Sequence, residues 1–145
     1  MIQGVKVSPL KIIDVNGGNV LHAMKATDSG YCGFGEAYFS KIENKVVKGW
    51  KRHQEMTLNI LVPIGSIRFV LYDSRNFSST YGHFYEIILS NNNYNRITVP
   101  PMIWMGFQGL EKGFSMLLNL ADMPHDKGEV EEKELNKIKY DWRVN

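Results

Sequence analysis

Residues 56–71 read Met56-Thr57-Leu58-Asn59-Ile60-Leu61-Val62-Pro63-Ile64-Gly65-Ser66-Ile67-Arg68-Phe69-Val70-Leu71. Apolar side chains recur at Met56, Leu58, Ile60 and Val62, and again at Ile67, Phe69 and Leu71 after Pro63 and Gly65. A repeat of two is that of a strand with one face turned to a core, and Pro and Gly between two such runs mark a turn. Downstream the alternation returns at Tyr85, Ile87 and Leu89, at Ile97 and Val99 before Pro100-Pro101, and at Phe114, Met116, Leu118 and Leu120. Upstream, Ile12 to Val15 and Val20 to His22 flank Asn16-Gly17-Gly18. Asn-Gly between apolar runs predicts a hairpin with a type I′ turn, which needs positive φ at both central residues. Short strands at close spacing, with no βαβ rhythm, predict an all-β antiparallel sandwich or barrel. Only Asp126 to Lys139 differs: it is crowded with charge, has Val130, Leu135 and Ile138 as its apolar residues, and reads as a short helix or a solvated tail.

The 145 residues are expected to form one domain, 1–145, large enough to bury roughly 68–70% of the surface of its unfolded chain. Apolar residues at 43% and charged residues at 22% exclude a disordered chain, a collagen and a long coiled coil. The formal charge of +2 is spread along the chain without a basic stripe, which argues against a partner that is nucleic acid or a membrane surface. No apolar run is long enough to span a bilayer, and the first twenty residues, with Lys6, Lys11 and Asp14, lack the apolar segment of a secretory signal. A single cysteine, Cys32, fits a reducing compartment, so the expected location is the cytoplasm.

The glycine-rich run Gly30 to Gly35 lacks GxGxxG spacing and precedes a strand-like segment, so it reads as a loop. P-loop, HExxH, CxxC and GxSxG patterns are missing. The informative stretch is Lys48-Gly49-Trp50-Lys51-Arg52-His53. On a strand, Lys51 and His53 share a face, and an ammonium beside an imidazole can bind an anion and move a proton near neutral pH. A solvated edge strand whose basic residues blunt aggregation is the alternative that periodicity leaves open. Lys48 has the opposite parity and joins them only if the strand twists or bulges near Gly49.

Several stretches together resemble the dTDP-4-dehydrorhamnose 3,5-epimerase family. They are Phe34-Gly35-Glu36 through Ser40, Lys48 to Lys51, Asp73-Ser74-Arg75-Asn76-Phe77-Ser78-Ser79-Thr80-Tyr81-Gly82, Leu89-Ser90 through Asn93, Val99-Pro100 and Gly106-Phe107. The family's motifs at these places read F-V-Q-D-N-x-S, R-G-L-H, D-x-R-x-x-S-P-T-F-G, L-S-x-x-N and I-P-x-G-x-x-H-G-F. The resemblance implies a cupin-type jelly roll, a homodimer that exchanges N-terminal strands (here residues 1 to about 25), and a nucleotide-linked 4-keto sugar in the barrel, with no metal or organic cofactor. It places Lys48, Glu36 and Arg75 at substrate-binding positions, although Glu36 equally suits the end of a strand, and Arg75 and Thr80 suit a turn or a dimer contact better.

The departures fall on the acid/base set. Lys51 stands where the family has the His of R-G-L-H, and Met105 where it has the His of H-G-F. The family's second catalytic lysine and its tyrosine after the Phe114 strand find no match, and its orienting carboxylate is assigned to Glu134 from the C-terminal Ile138 to Trp142 stretch. The dTDP-sugar 3,4-ketoisomerases resemble the chain in another way, since their R-G-x-H-A-H lies over Lys48 to His53 and makes His53 the expected base, with Lys51 its electrostatic partner. Both branches take a proton beside a carbonyl and must stabilise an enolate. The expected function is therefore that of an epimerase on a nucleotide-linked 4-keto-6-deoxy sugar in polysaccharide biosynthesis. A 3,4-ketoisomerase and a non-catalytic nucleotide-sugar-binding or partner-binding descendant are the alternatives. Metal binding is not expected, because the metal cupins' H-x-H and later His become Lys51-x-His53 and Met105.

Overall fold

The alternating stretches pair into two antiparallel sheets that face each other as a jelly roll. The computed structural model of the chain describes residues 1–143. Its strands are β1 (Lys6–Pro9), β2 (Ile12–Ile13), β3 (Val20–Leu21), β4 (Glu36–Glu43), β5 (Val47–His53), β6 (Leu58–Ile64), β7 (Ser66–Asp73), β8 (Phe84–Ser90), β9 (Asn95–Val99), β10 (Ile103–Gly109), β11 (Phe114–Ala121) and β12 (Val130–Glu132). The first sheet runs β1-β9-β6-β11-β4 and the second β12-β5-β10-β7-β8, while β2 and β3 form a separate hairpin. Among the described residues no helix is long and apolar enough to cross a membrane.

The period-two residues of β6, β7, β8 and β9 meet between the sheets. Leu58, Ile60, Val62, Ile67, Phe69, Leu71, Leu89, Ile97 and Val99 are buried in one cluster, closed by Ile2, Val5 and Met56. Each such side chain contributes roughly 1.5–3 kcal/mol by leaving water. The turn from β6 to β7 depends on Gly65, whose φ is 81° and whose missing Cβ would stand 2.3 Å from Ser115 Oγ. That hydroxyl accepts from the Ser66 amide at 3.0 Å and so ties the turn to β11. A second cluster lies on the outer face of the second sheet, where Trp50, Val70 and Trp104 are covered by Ile138 and Trp142.

Three expectations are corrected, for the hairpin turn, the parity of β11 and the C-terminal segment. The N-terminal hairpin forms, but with only two residues in each strand and a looser connection, in which the Gly18 amide donates to the Val15 carbonyl and the Val15 amide to Asn19 Oδ1. β1 pairs with β9 within the chain, Lys6 opposite Thr98, as an edge strand of the first sheet, and Ile2 and Val5 enter the core. The parity of β11 is the reverse of that expected: Ser115, Leu117, Asn119 and Ala121 are buried, whereas Phe114 is exposed and Met116, Leu118 and Leu120 are only half-buried. Its apolar alternation lies on the outer face of the sheet. The charged C-terminal segment forms two single-turn 3₁₀ helices, Lys127–Glu129 and Leu135–Lys137, on either side of β12, which extends the second sheet beside β5.

Candidate active site

β5 carries the basic residues into the space between the sheets because it bulges. Lys51 stands opposite Met105 and Lys48 opposite Phe107, so three steps along β5 match two along β10. Gly49 lies in the bulge, with φ of 157°, and a Cβ there would come 2.8 Å from Gly106 Cα. The extra residue cancels the parity difference, and Lys48, Lys51 and His53 all line one cavity of about 470 Å³. Its walls are otherwise largely apolar, with Met56, Leu58, Ile60, Val99, Ile103, Met105, Phe107 and Leu117, and its other polar groups include Tyr38, Ser40 and Asn119. A largely apolar pocket, open to solvent on one side, with a few convergent polar groups suits a small ligand held in one orientation.

His53 is the fixed member. Its side chain is 15% exposed, and its Nδ1 meets the Oε1 of Glu129, a carboxylate 6% exposed. Glu129 ends the short helix that leads into β12, and Val130 pairs with His53, so the ladder brings the carboxylate beside the ring. Its Oε2 accepts from the backbone amides of Glu55 and Met56, each at 3.2 Å, which folds the β5–β6 turn around it. Burial opposes ionisation, but the hydrogen bond from His53 and those two amides outweigh it and hold the Glu129 carboxyl below the usual carboxylate range. An ionised carboxylate on Nδ1 fixes the proton there and leaves Nε2 as the acceptor. No described residue hydrogen-bonds that second nitrogen, so it is free for a ligand.

The lysines are held more loosely. Lys51 Nζ lies 3.6 Å from Glu132 Oε1 with both side chains mostly exposed, a pair of little energetic weight. Lys48 Nζ donates to the Lys41 carbonyl at 2.9 Å. They place two positive charges on the same strand as the imidazole, suited to an anionic group at the solvent side of the cavity.

Three sequence-level candidates lie elsewhere. Glu134 is exposed, in a surface dip with Trp50 and Lys133 that meets the cavity only at Gly49 and Lys51, and the carboxylate beside the imidazole is Glu129. Glu36 opens β4 opposite Ala121 and does not line the cavity, whereas Tyr38, two residues on, does. Arg75 is bound to Asp73 and to the Gln3 carbonyl, away from the cavity. Sequence reasoning missed Glu129, Tyr38 and Asn119. For Tyr38 a signal existed, since Glu36-Ala37-Tyr38 lies on a strand preceding a buried Ile42 of the same parity. Among the described residues no three His, Cys, Asp or Glu side chains come together as a metal site.

The sequence and the fold both have known counterparts. A probable low-salt glycan biosynthesis epimerase of Haloferax volcanii is 30% identical over 106 residues, 72% of this chain and 66% of that protein, so the chain spans just under two thirds of that relative. A spore coat polysaccharide biosynthesis protein of Bacillus subtilis is 24% identical over 99% of this chain and 98% of its own length. The crystal structure of a dTDP sugar isomerase from Desulfovibrio desulfuricans G20 superposes with a TM-score of 0.94 at 36% identity, covering 97% of this chain and 92% of that one. Since the sequence model of the dTDP-4-dehydrorhamnose 3,5-epimerases matches residues 11–144 without stopping at the altered Lys51 and Met105, the chain belongs to the dTDP-4-dehydrorhamnose 3,5-epimerase family.

Proposed function

We propose that the chain epimerises a nucleotide-linked 4-keto-6-deoxy sugar in glycan biosynthesis, with His53 as the base. The observation that carries this is the buried Glu129 holding His53 Nδ1 at the wall of the cavity, which leaves Nε2 as the proton acceptor. His53 takes a proton from a carbon next to the sugar's ketone, and the electron pair moves through the new C=C bond onto the carbonyl oxygen. Lys51 offsets the negative charge of that enolate, and Lys48 meets the diphosphate as a point charge. No step requires a metal or organic cofactor. A proton from solvent then adds to the carbon from the opposite face as the enolate pair returns to carbon, giving the epimer, and His53 releases the proton it took to solvent.

The test is solvent deuterium uptake into dTDP-, GDP- and CDP-linked 4-keto-6-deoxy sugars, followed by NMR. Uptake at C3 alone or at C3 and C5 supports an epimerase, and a ketone moved from C4 to C3 identifies a 3,4-ketoisomerase, the reaction favoured by the alignment of His53 with that branch's second histidine. Uptake with none of them favours a non-catalytic binding descendant.

The working unit in this proposal is a cytoplasmic homodimer. Its support is the outer face of the first sheet, where Phe39 is 63% exposed in register with Leu118, with Phe114 at 42% further along β11 on the same face. The β2–β3 hairpin adds exposed Ile13, Val15 and Val20. Apolar surface of this kind on a sheet is covered when a second copy packs on it. Light scattering should show twice the chain mass, and a monomer unchanged over a wide concentration range contradicts the dimer.

A further inference from the structure

Across the cavity from His53, the first sheet presents one hydrogen-bonding pair that the base does not explain. Tyr38 on β4 and Asn119 on β11 stand directly opposite each other in the ladder, and both line the cavity. Asn119 is 1% exposed, and its Nδ2 donates to Tyr38 Oη at 3.0 Å. Its Oδ1 has no hydrogen-bond partner. A buried amide oxygen without a donor is destabilising, and protein interiors rarely keep one. Apart from Ser40, the remaining inward residues of this wall, Leu58, Ile60, Val99 and Leu117, are apolar, so packing alone would be served better by another aliphatic side chain. The Tyr38 oxygen already accepts the Asn119 N–H, which leaves the phenolic proton for another acceptor, and no described residue supplies one.

We propose that this pair receives the α-hydroxy-ketone unit of the sugar, the Tyr38 hydroxyl donating to the keto oxygen and Asn119 Oδ1 accepting from the neighbouring hydroxyl. The inference rests on the 4-keto-sugar epimerase reading and deepens it by naming what sets the substrate's identity. One donor and one acceptor side by side match a carbonyl next to a hydroxyl, whereas a ketone flanked by a CH₂ leaves Asn119 unpaired. When His53 takes the α-proton, the C–H electron pair forms the C=C bond and the carbonyl pair moves to oxygen, where the Tyr38 proton shares the new charge. Return of a proton to carbon reverses the electron flow, with no net oxidation or reduction. Tyr38 touches the reacting carbonyl and is catalytic. Asn119 acts on the adjacent hydroxyl and positions the Tyr38 oxygen.

The experiment compares dTDP-4-keto-6-deoxyglucose with its 3-deoxy counterpart, by deuterium uptake next to the ketone and by calorimetric binding. A site built around a substrate hydroxyl rejects the analogue lacking it, so the wild-type chain should prefer the hydroxylated sugar by at least ~10²-fold. Asn119→Leu should reduce that preference to within ~10-fold by removing the acceptor. Tyr38→Phe keeps the ring on an edge strand where it is 45% exposed, and should slow uptake from both sugars by ~10²-fold while retaining the preference. An unchanged preference in Asn119→Leu, or equal wild-type affinity for the two ligands, overturns the assignment. If the wild-type chain takes up no deuterium but still binds the hydroxylated sugar more tightly, the epimerase reading fails and the pair stands. Binding of neither overturns both.

Discussion

Two buried carboxylates stand at the same end of the second sheet, Glu129 beside His53 of β5 and Asp73 opposite Ile103 of β10, and they differ in what they leave unsatisfied. Asp73, fully buried at the end of β7, accepts from the Arg75 amide and guanidinium, from Ser78 Oγ at 2.6 Å and from Thr80 Oγ1 at 2.7 Å. Gln3 closes the same knot, its carbonyl accepting from Arg75 and its side-chain oxygen from Ser78 and the Ser79 amide. Glu129 likewise collects two backbone amides, but its third donor is an imidazole whose other nitrogen faces a cavity. A carboxylate whose donors are all spent on it is a structural anchor. One that fixes a group with a second, unspent function supports chemistry.

The first consequence is a division of effects between stability and turnover. Asp73→Ala leaves the Arg75 guanidinium, Ser78 and Thr80 without their acceptor and should cost ~3–5 kcal/mol in chemical denaturation. Deuterium uptake per folded molecule should stay within a few-fold of wild type, and a loss as large as that of a site variant would mean that the turn serves the chemistry. Glu129→Gln should do the reverse. It keeps the shape but loses the charge that fixes the imidazole, so uptake should fall by ~10²-fold while stability drops by only ~1–3 kcal/mol.

Acid perturbs both anchors with one sign. At Asp73, burial by itself raises the carboxyl, but the hydrogen bonds from Arg75, Ser78 and Thr80 prevail and hold it well below the usual carboxylate range. Glu129 is lowered in the same sense. A group whose pKa is depressed by folding contributes stability that is complete above its unfolded value of ~4 and is lost as the pH falls through its folded value. Stability should therefore decline below about pH 4.5, and Asp73→Asn should flatten that decline more than Glu129→Gln. Equal slopes in the two variants would remove the distinction between the anchors. The smallest effect belongs to Lys51→Ala: the side chain is 61% exposed and screened, so uptake should fall only ~3–10-fold, and less at high salt.

How far the sequence revealed each region follows from the distance between partners. The turn role of Arg75 and Thr80 was legible because both lie in the spacing that carried the family resemblance, but their buried acceptor Asp73 was not singled out, and Gln3 closes the knot from 72 positions before Arg75. The strands of the core were legible through alternation at Leu58, Ile60, Phe69 and Leu71. Glu129 was not, because it meets His53 across 76 positions and sits among Asp126, Glu131, Glu132 and Glu134, any of which composition would allow. Asn119 was hidden by its neighbours, since Phe114, Met116, Leu118 and Leu120 supply a convincing apolar face that points away from the core. β12 gave little signal, because Val130-Glu131-Glu132 is held as a strand by the β5 ladder and not by its own propensity.

The role of the anchored imidazole is decided by the exchange rate of the substrate's α-proton in His53→Ala, measured beside calorimetric binding of the same nucleotide sugar. General-base catalysis contributes about 10²–10⁴-fold, so uptake should fall by that factor while nucleotide-sugar affinity changes little. Exchange at an undiminished rate in His53→Ala would contradict the account and transfer the role of base to Lys51, two residues away on the same wall.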